Sequence, residues 1–199
     1  MNGPVTRSTA NVKKMFQEPS PIDPDAPRYA PTRELPGHRY LPGQNARPHE
    51  PGGQTHELGS LVPPERLHET ELFRFGVDLF NRSYFWEAHE AWETLWQGCP
   101  EGPIRQALQG LIQLAAANLK ESMAVPAGAL RLSLTACARL DAAHAGGAHL
   151  GIDLAQLTCR ARAHFTVKEM NATGGPGTEP PNSTDVEPRP ASPGIRMLA

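Results

Sequence analysis

No run of about 18 apolar residues occurs in this 199-residue chain, so no stretch reads as a membrane-spanning helix. Cysteine is scarce: Cys99, Cys137 and Cys159 are far apart and form no C-x-x-C. That argues against a disulfide framework or a zinc ribbon. Charge of one sign is lacking too. A net charge of -2 and a pI near 6.4 give no electrostatic reason to expect nucleic acid or an anionic membrane as partner. The first residues contain no apolar core of a secretory leader, and the expectation is a soluble, cytoplasmic protein. Period-2 alternation is missing from the middle of the chain, which predicts no sheet.

Proline, by contrast, is abundant and uneven. Of 21 prolines, twelve lie in Met1–Pro64, three in Glu65–Met170 and six in Asn171–Ala199. Proline removes a backbone donor and blocks helix continuation. The expected organisation is therefore a Pro/Gly-rich N-terminal tail over 1–59, a helical domain over 60–170 and a disordered C-terminal tail over 171–199. Within the first tail, His38-Arg39-Tyr40-Leu41-Pro42-Gly43 has apolar residues that suit a docking arm, followed by Arg47-Pro48-His49.

The middle predicts an all-α bundle of about five helices. Pro63-Pro64 opens the first, over Glu65 to about Arg82, with Leu67, Leu72, Phe73, Val77 and Phe80 at helical spacing. Ser83 is a candidate cap for a second helix, Tyr84 to about Gln97. Cys99-Pro100-Glu101-Gly102-Pro103 breaks the pattern. A third helix follows to Glu121 with Ile104, Leu108, Leu111, Ile112, Ala115 and Leu119 inside. A fourth runs from Pro126 to about Ala143 on Ala129, Leu130, Leu132, Leu134, Ala138 and Leu140. A fifth, capped by Asp153, reaches about Met170 on Leu154, Leu157, Ala161 and Phe165.

Aromatic residues are few, yet all three tryptophans fall in Phe85–Trp96, F-W-E-A-H-E-A-W-E-T-L-W. At about 100° per residue, Glu93 lies about 40° from His89, Trp96 about 20°, Phe85 about 40°, and Trp86 and Trp92 about 60°. The sequence thus predicts a buried His89–Glu93 pair in the most aromatic face of the helix. Two readings stay open. One is a structural network or small binding pocket, with Trp92, Trp96, Asn81, Gln109, Gln113 and Glu90 supporting the pair. The other is a divalent-metal site or metal-dependent enzyme with His89 and Glu93 as ligands. Glu90, about 100° round the helix, is expected to be a poor third ligand. Asp78 and Asn81, or Gln109 and Gln113, would have to approach instead.

The spacing excludes some enzymes. A zincin helix reads H-E-x-x-H, and here Glu93 stands where the second histidine would be. Carboxylate-bridged di-iron bundles use E-x-x-H, repeated on a second helix, whereas the order at His89 and Glu93 is H-x-x-x-E, with no second copy. No serine-nucleophile motif and no phosphate-cradling glycine loop is present. No basic residues interleave with the tryptophans as a base-stacking platform needs. A homodimer is an expectation for a small domain with this aromatic content.

Leu79-Phe80-Asn81, Tyr84-Phe85-Trp86-Glu87-Ala88-His89-Glu90, Glu93, Trp96, Gln109-Gly110-Leu111-Ile112-Gln113 and Gly128-Ala129 resemble an uncharacterised prokaryotic family. It is known as domain of unknown function 309, and its hallmark is H-x-x-x-E-x-x-W. Tyr40-Leu41-Pro42-Gly43 is similar to a segment that often precedes that domain. The resemblance covers roughly Tyr40 to Asp153. It implies an all-helical domain and carries the family's suggested metal binding onto His89 and Glu93, with Trp96 completing the motif. It implies no reaction.

Overall fold

The computed structural model describes residues 27–43, 62–172 and 194–198, with side chains described to residue 166 of the last helix. The remainder of the N-terminal stretch, Arg47-Pro48-His49 included, and most of the C-terminal one lie outside these residues. A 3-10 turn, Pro64–Glu69, leads into five α-helices: α1 Glu71–Asn81, α2 Phe85–Gly98, α3 Pro103–Ser122, α4 Pro126–Ala145 and α5 Leu154–Ala172. Among the described residues no strand forms beyond one isolated antiparallel bridge, Ile152 to Met197. The all-helical expectation holds. No helix among the described residues is long and apolar enough to cross a membrane.

The first expected helix is divided. Thr70 is extended (φ -67°, ψ 143°), its hydroxyl donating to Leu67 O at 2.6 Å and accepting from Phe73 N at 3.2 Å. A threonine that satisfies both the end of one turn and the start of the next separates them. Ser83 also differs from its expected role. It adopts φ +64° and closes α1, with Ser83 N bonded to Phe80 O at 2.9 Å and Tyr84 N to Leu79 O at 2.9 Å. This is the paired hydrogen-bond pattern of a left-handed helix stop. Asp153 does cap α5, its carboxylate accepting from Gln156 N at 2.9 Å.

Each helix packs on its neighbours in sequence, and α3 lies between α2 and α4. Two glycines set the close approaches. A Cβ at Gly76 would stand 2.3 Å from Trp92 Nε1 across α1 and α2, and one at Gly110 would stand 2.6 Å from Leu140 Cγ across α3 and α4. The second approach explains why α4 buries Ala129, Ser133, Ala136, Cys137, Leu140 and Ala143 rather than the leucine-rich stripe expected. Small residues admit the α3 backbone, and Leu134 is left on the surface. His164 of α5 and Glu121 of α3 meet through Nε2 and Oε2 at 2.8 Å, which ties the last helix to the centre.

Both described ends of the chain lie on α1. The fully buried Asp78 carboxylate accepts from Arg28 Nε at 3.0 Å, Tyr29 N at 2.8 Å and Ala30 N at 2.9 Å. Three residues further on, Asn81 holds Ile195, and Met197 N donates to Tyr29 Oη at 3.2 Å. Residues 194–198, expected within a disordered tail, thus rest against the domain with Ile195 buried. An amide side chain that pairs with both backbone groups of one residue lets so short a segment dock without orphaned polar groups.

Candidate functional site

α2 buries Phe85, Ala88, Ala91, Trp92 and Leu95. The centre of that set falls near Ala88, about 100° round the helix from His89. The aromatic centre of the helix and its buried centre are therefore different. Ala88 and Ala91 carry no aromatic weight in the sequence but face the packed side, where small residues let α1 and α3 come close. Trp86 and Trp96 occupy the rim, as indoles with a polar edge do. The expectation of a buried His/Glu pair is corrected: the side chains of His89 and Glu93 are 25% and 40% exposed.

The pair itself forms. His89 Nε2 lies 3.3 Å from Glu93 Oε2, and the other ring nitrogen, Nδ1, lies 3.4 Å from Ile112 O on α3. Trp86 stacks on the imidazole with centroids 6.0 Å apart and planes 10° apart. Glu90 joins them, against expectation. One ligand atom each from His89, Glu90 and Glu93 lies within 4.8 Å of the others, all three residues half-buried. The wheel angle counts Cα positions; the flexible glutamate side chain reaches back across it.

The other expected members lie elsewhere. Trp92 is fully buried in the core, its Nε1 donating to Phe73 O at 3.4 Å. Asn81 and Asp78 are committed to the chain ends. Gln109 Oε1 accepts from Arg139 Nη1 of α4 at 2.8 Å, not from the His89 cluster. Gln113 Oε1 is buried with no hydrogen-bond partner among the described residues. Trp96 lies under the Arg105 guanidinium, 3.9 Å from its centroid, and its Nε1 is likewise buried without a partner among these residues. Arg105 also donates to Trp96 O at 2.6 Å, capping the last turn of α2 with a cation where the helix dipole favours one. The structural network of His89, Glu93, Gln109 and Gln113 is therefore not assembled as expected.

Sequence reasoning did not single out Glu87 and Arg105. Glu87 Oε1 accepts from Tyr40 N at 2.8 Å, while Oε2 is buried without a partner among the described residues. Burial pushes its carboxyl above the ordinary carboxylate range, opposed by the hydrogen bonds at its own and the Tyr40 backbone and by the nearby His38 and Arg39 charges. Nothing in the spacing of one glutamate among three on α2 marks it, because its partner is 47 residues away. Arg105 had a local signal: it follows the Pro-Gly break closely enough to reach back to the end of α2.

The three ligand atoms fit a divalent cation with modest side-chain closure. Two ligands on one tetrahedral or octahedral ion with bonds of about 2.1 Å stand roughly 3 to 3.5 Å apart. The i, i+1, i+4 spacing approaches an ion from one side only and leaves its other side open. A comparison with curated proteins and one with solved structures give no match. Residues 73–132, the α1-to-α4 part of the bundle, match the family model described as Domain of unknown function (DUF309), and this part of the chain is similar to that family.

Proposed function

We propose that the domain binds a divalent transition-metal ion through His89 Nε2, Glu90 and Glu93. The observation that carries this reading is the pair of surroundings of the His89 ring. Nδ1 faces a backbone carbonyl and Nε2 faces a carboxylate. A ring that donates from Nδ1 turns the Nε2 lone pair toward the carboxylates, and a cation between them satisfies all three groups. A backbone carbonyl on the far nitrogen of a ligating histidine is the usual way proteins fix its tautomer. Nitrogen and carboxylate oxygen together suit Zn, Fe, Mn or Ni rather than Ca or Mg. A bound ion would supply Lewis acidity on its open side; the chain's residues hold and orient it. The three widely spaced thiols support a reducing compartment, and we place the protein in the cytoplasm.

Metal content by mass spectrometry after reconstitution, with titration of Zn2+ and Mn2+, tests this on the full chain. One equivalent in the wild type, lost in His89→Ala and Glu93→Ala with helical circular dichroism retained, is the expected result. Sub-stoichiometric metal in the wild type, or equal metal in all three proteins, overturns it.

A further inference from the structure

We infer that the N-terminal arm is part of the His89 site and that Tyr40 and Trp86 are its positioning residues; this rests on the metal reading above but has a readout that does not need the metal. The contacts form a continuous series. At one end Asp78 fixes the arm through Arg28, Tyr29 N and Ala30 N. The arm continues along the α1–α2 hairpin, with Arg33 over Phe75 at 5.1 Å and Arg39 over Tyr84 at 5.6 Å. At Tyr40 its backbone N–H is held by Glu87 at 2.8 Å, and the phenol ring meets Trp86 edge-on, centroids 5.0 Å apart at 67°. The Trp86 indole also stacks on the His89 imidazole, at 6.0 Å and 10°.

The indole is thus held between the arm and the ligand ring. Trp86 lies on the rim of α2, partly buried against the core, and the Tyr40 ring closes its arm-facing side. An edge-on aromatic contact of this kind is strong enough to bias the rotamer of a half-buried side chain. Apart from the stack, His89 is oriented by two long contacts, Nδ1 to Ile112 O at 3.4 Å and Nε2 to Glu93 Oε2 at 3.3 Å, both weak as hydrogen bonds. With the arm docked, the stack confines the imidazole to the plane in which Nε2 faces Glu93. Without Tyr40, Trp86 loses its edge contact on the arm side and the restraint it passes to the imidazole weakens. Outer partners that orient a ligating histidine typically change metal affinity ten- to a hundredfold when removed.

The test uses the full chain as wild type, Tyr40→Phe, Tyr40→Ala and, as a second route to the same contact, Trp86→Phe. Two measurements are made: Co2+ titration followed by visible absorption, and the His89 ring signals in two-dimensional NMR of the metal-free protein. Tyr40→Phe, which keeps the ring, should behave as wild type. Tyr40→Ala should bind Co2+ about tenfold more weakly and shift the His89 ring signals, with helical circular dichroism unchanged; Trp86→Phe should move both readouts the same way. Wild-type Co2+ affinity and unshifted His89 signals in Tyr40→Ala and Trp86→Phe overturn the inference. If the wild type binds no Co2+, the metal reading fails, and the ring signals alone decide the positioning role: shifted in Tyr40→Ala and retained in Tyr40→Phe supports it, unshifted in both refutes it.

Discussion

Asn81 and Ile195 exchange two hydrogen bonds of 2.7 Å, side-chain amide to backbone, across 114 residues of sequence. A side chain here takes the place of a β-strand neighbour, and it seats the C-terminal segment on α1. Met197 pairs with Ile152, and Leu198 N bonds to Gly151 O at 2.7 Å. Of these contacts the Asn81 pair is the one buried inside the domain, so that amide should decide whether Ile195 docks.

Asn81→Ala should therefore release it. The substitution leaves Ile195 N and O unpaired if the segment stays, at about 1–3 kcal/mol for each buried group, which exceeds what one buried isoleucine contributes, about 1.5–3 kcal/mol. Hydrogen exchange at the Ile195 amide checks this. Protection in the wild type and exchange at the rate of a free peptide in the variant is the expected pattern, with α3 unaffected.

Gly76→Ala should destabilise the fold despite alanine's advantage of about 1 kcal/mol in a helix interior. The added methyl meets the Trp92 indole at 2.3 Å, and Trp92 is boxed in by Phe73 and Phe80. Overpacking of this kind costs about 1–3 kcal/mol, occasionally more, and the rigid indole puts this site toward the upper end, so a net loss of up to about 2 kcal/mol is expected in urea unfolding. A neutral or stabilising effect would contradict the close α1–α2 approach.

Ala124→Gly should do the opposite. Ala124 is exposed and ends α3 at φ +56°, with Ala124 N bonded to Glu121 O and Val125 N to Lys120 O, both at 2.9 Å. A left-handed alanine costs about 1–2 kcal/mol, offset by glycine's greater unfolded-state entropy of about 0.4–1 kcal/mol. A gain of several tenths to about 1 kcal/mol in chemical denaturation is expected.

Glu87 should give the protein a pH dependence with a definite sign. Its carboxyl is raised by burial, so the folded state holds that proton more tightly than the unfolded chain. Its contribution is fully present below the ordinary carboxylate pKa and is lost as pH rises through the raised value in the folded state. Glu87→Gln can still accept from Tyr40 N and has no charge to desolvate. Urea unfolding near pH 4 and near pH 7 should show the variant gaining stability relative to wild type at the higher pH. A gap between the two proteins that stays constant, or widens toward acid, would contradict this.

Proline segregation and helical spacing already marked the five helices, because chain breaks and 3.6-residue periodicity are local properties of a sequence. The stripe of α5 and its Asp153 cap could be read directly for the same reason. So could the His89–Glu93 contact, which one turn of α-helix dictates whatever surrounds it. Which face of α2 turns inward could not be read this way. The tryptophans outweighed Ala88 and Ala91 in any hydrophobic count, yet close helix packing prefers the small residues. Asp78 and Asn81 looked like candidate ligands until their partners, about 50 and 114 residues away, were in place. The pairing of His89 with Glu93 is thus written in the sequence. Its exposure, the addition of Glu90 and the aromatic contact that joins it to Tyr40 were decided by tertiary structure, since each depends on residues brought together only when the helices and the arm pack.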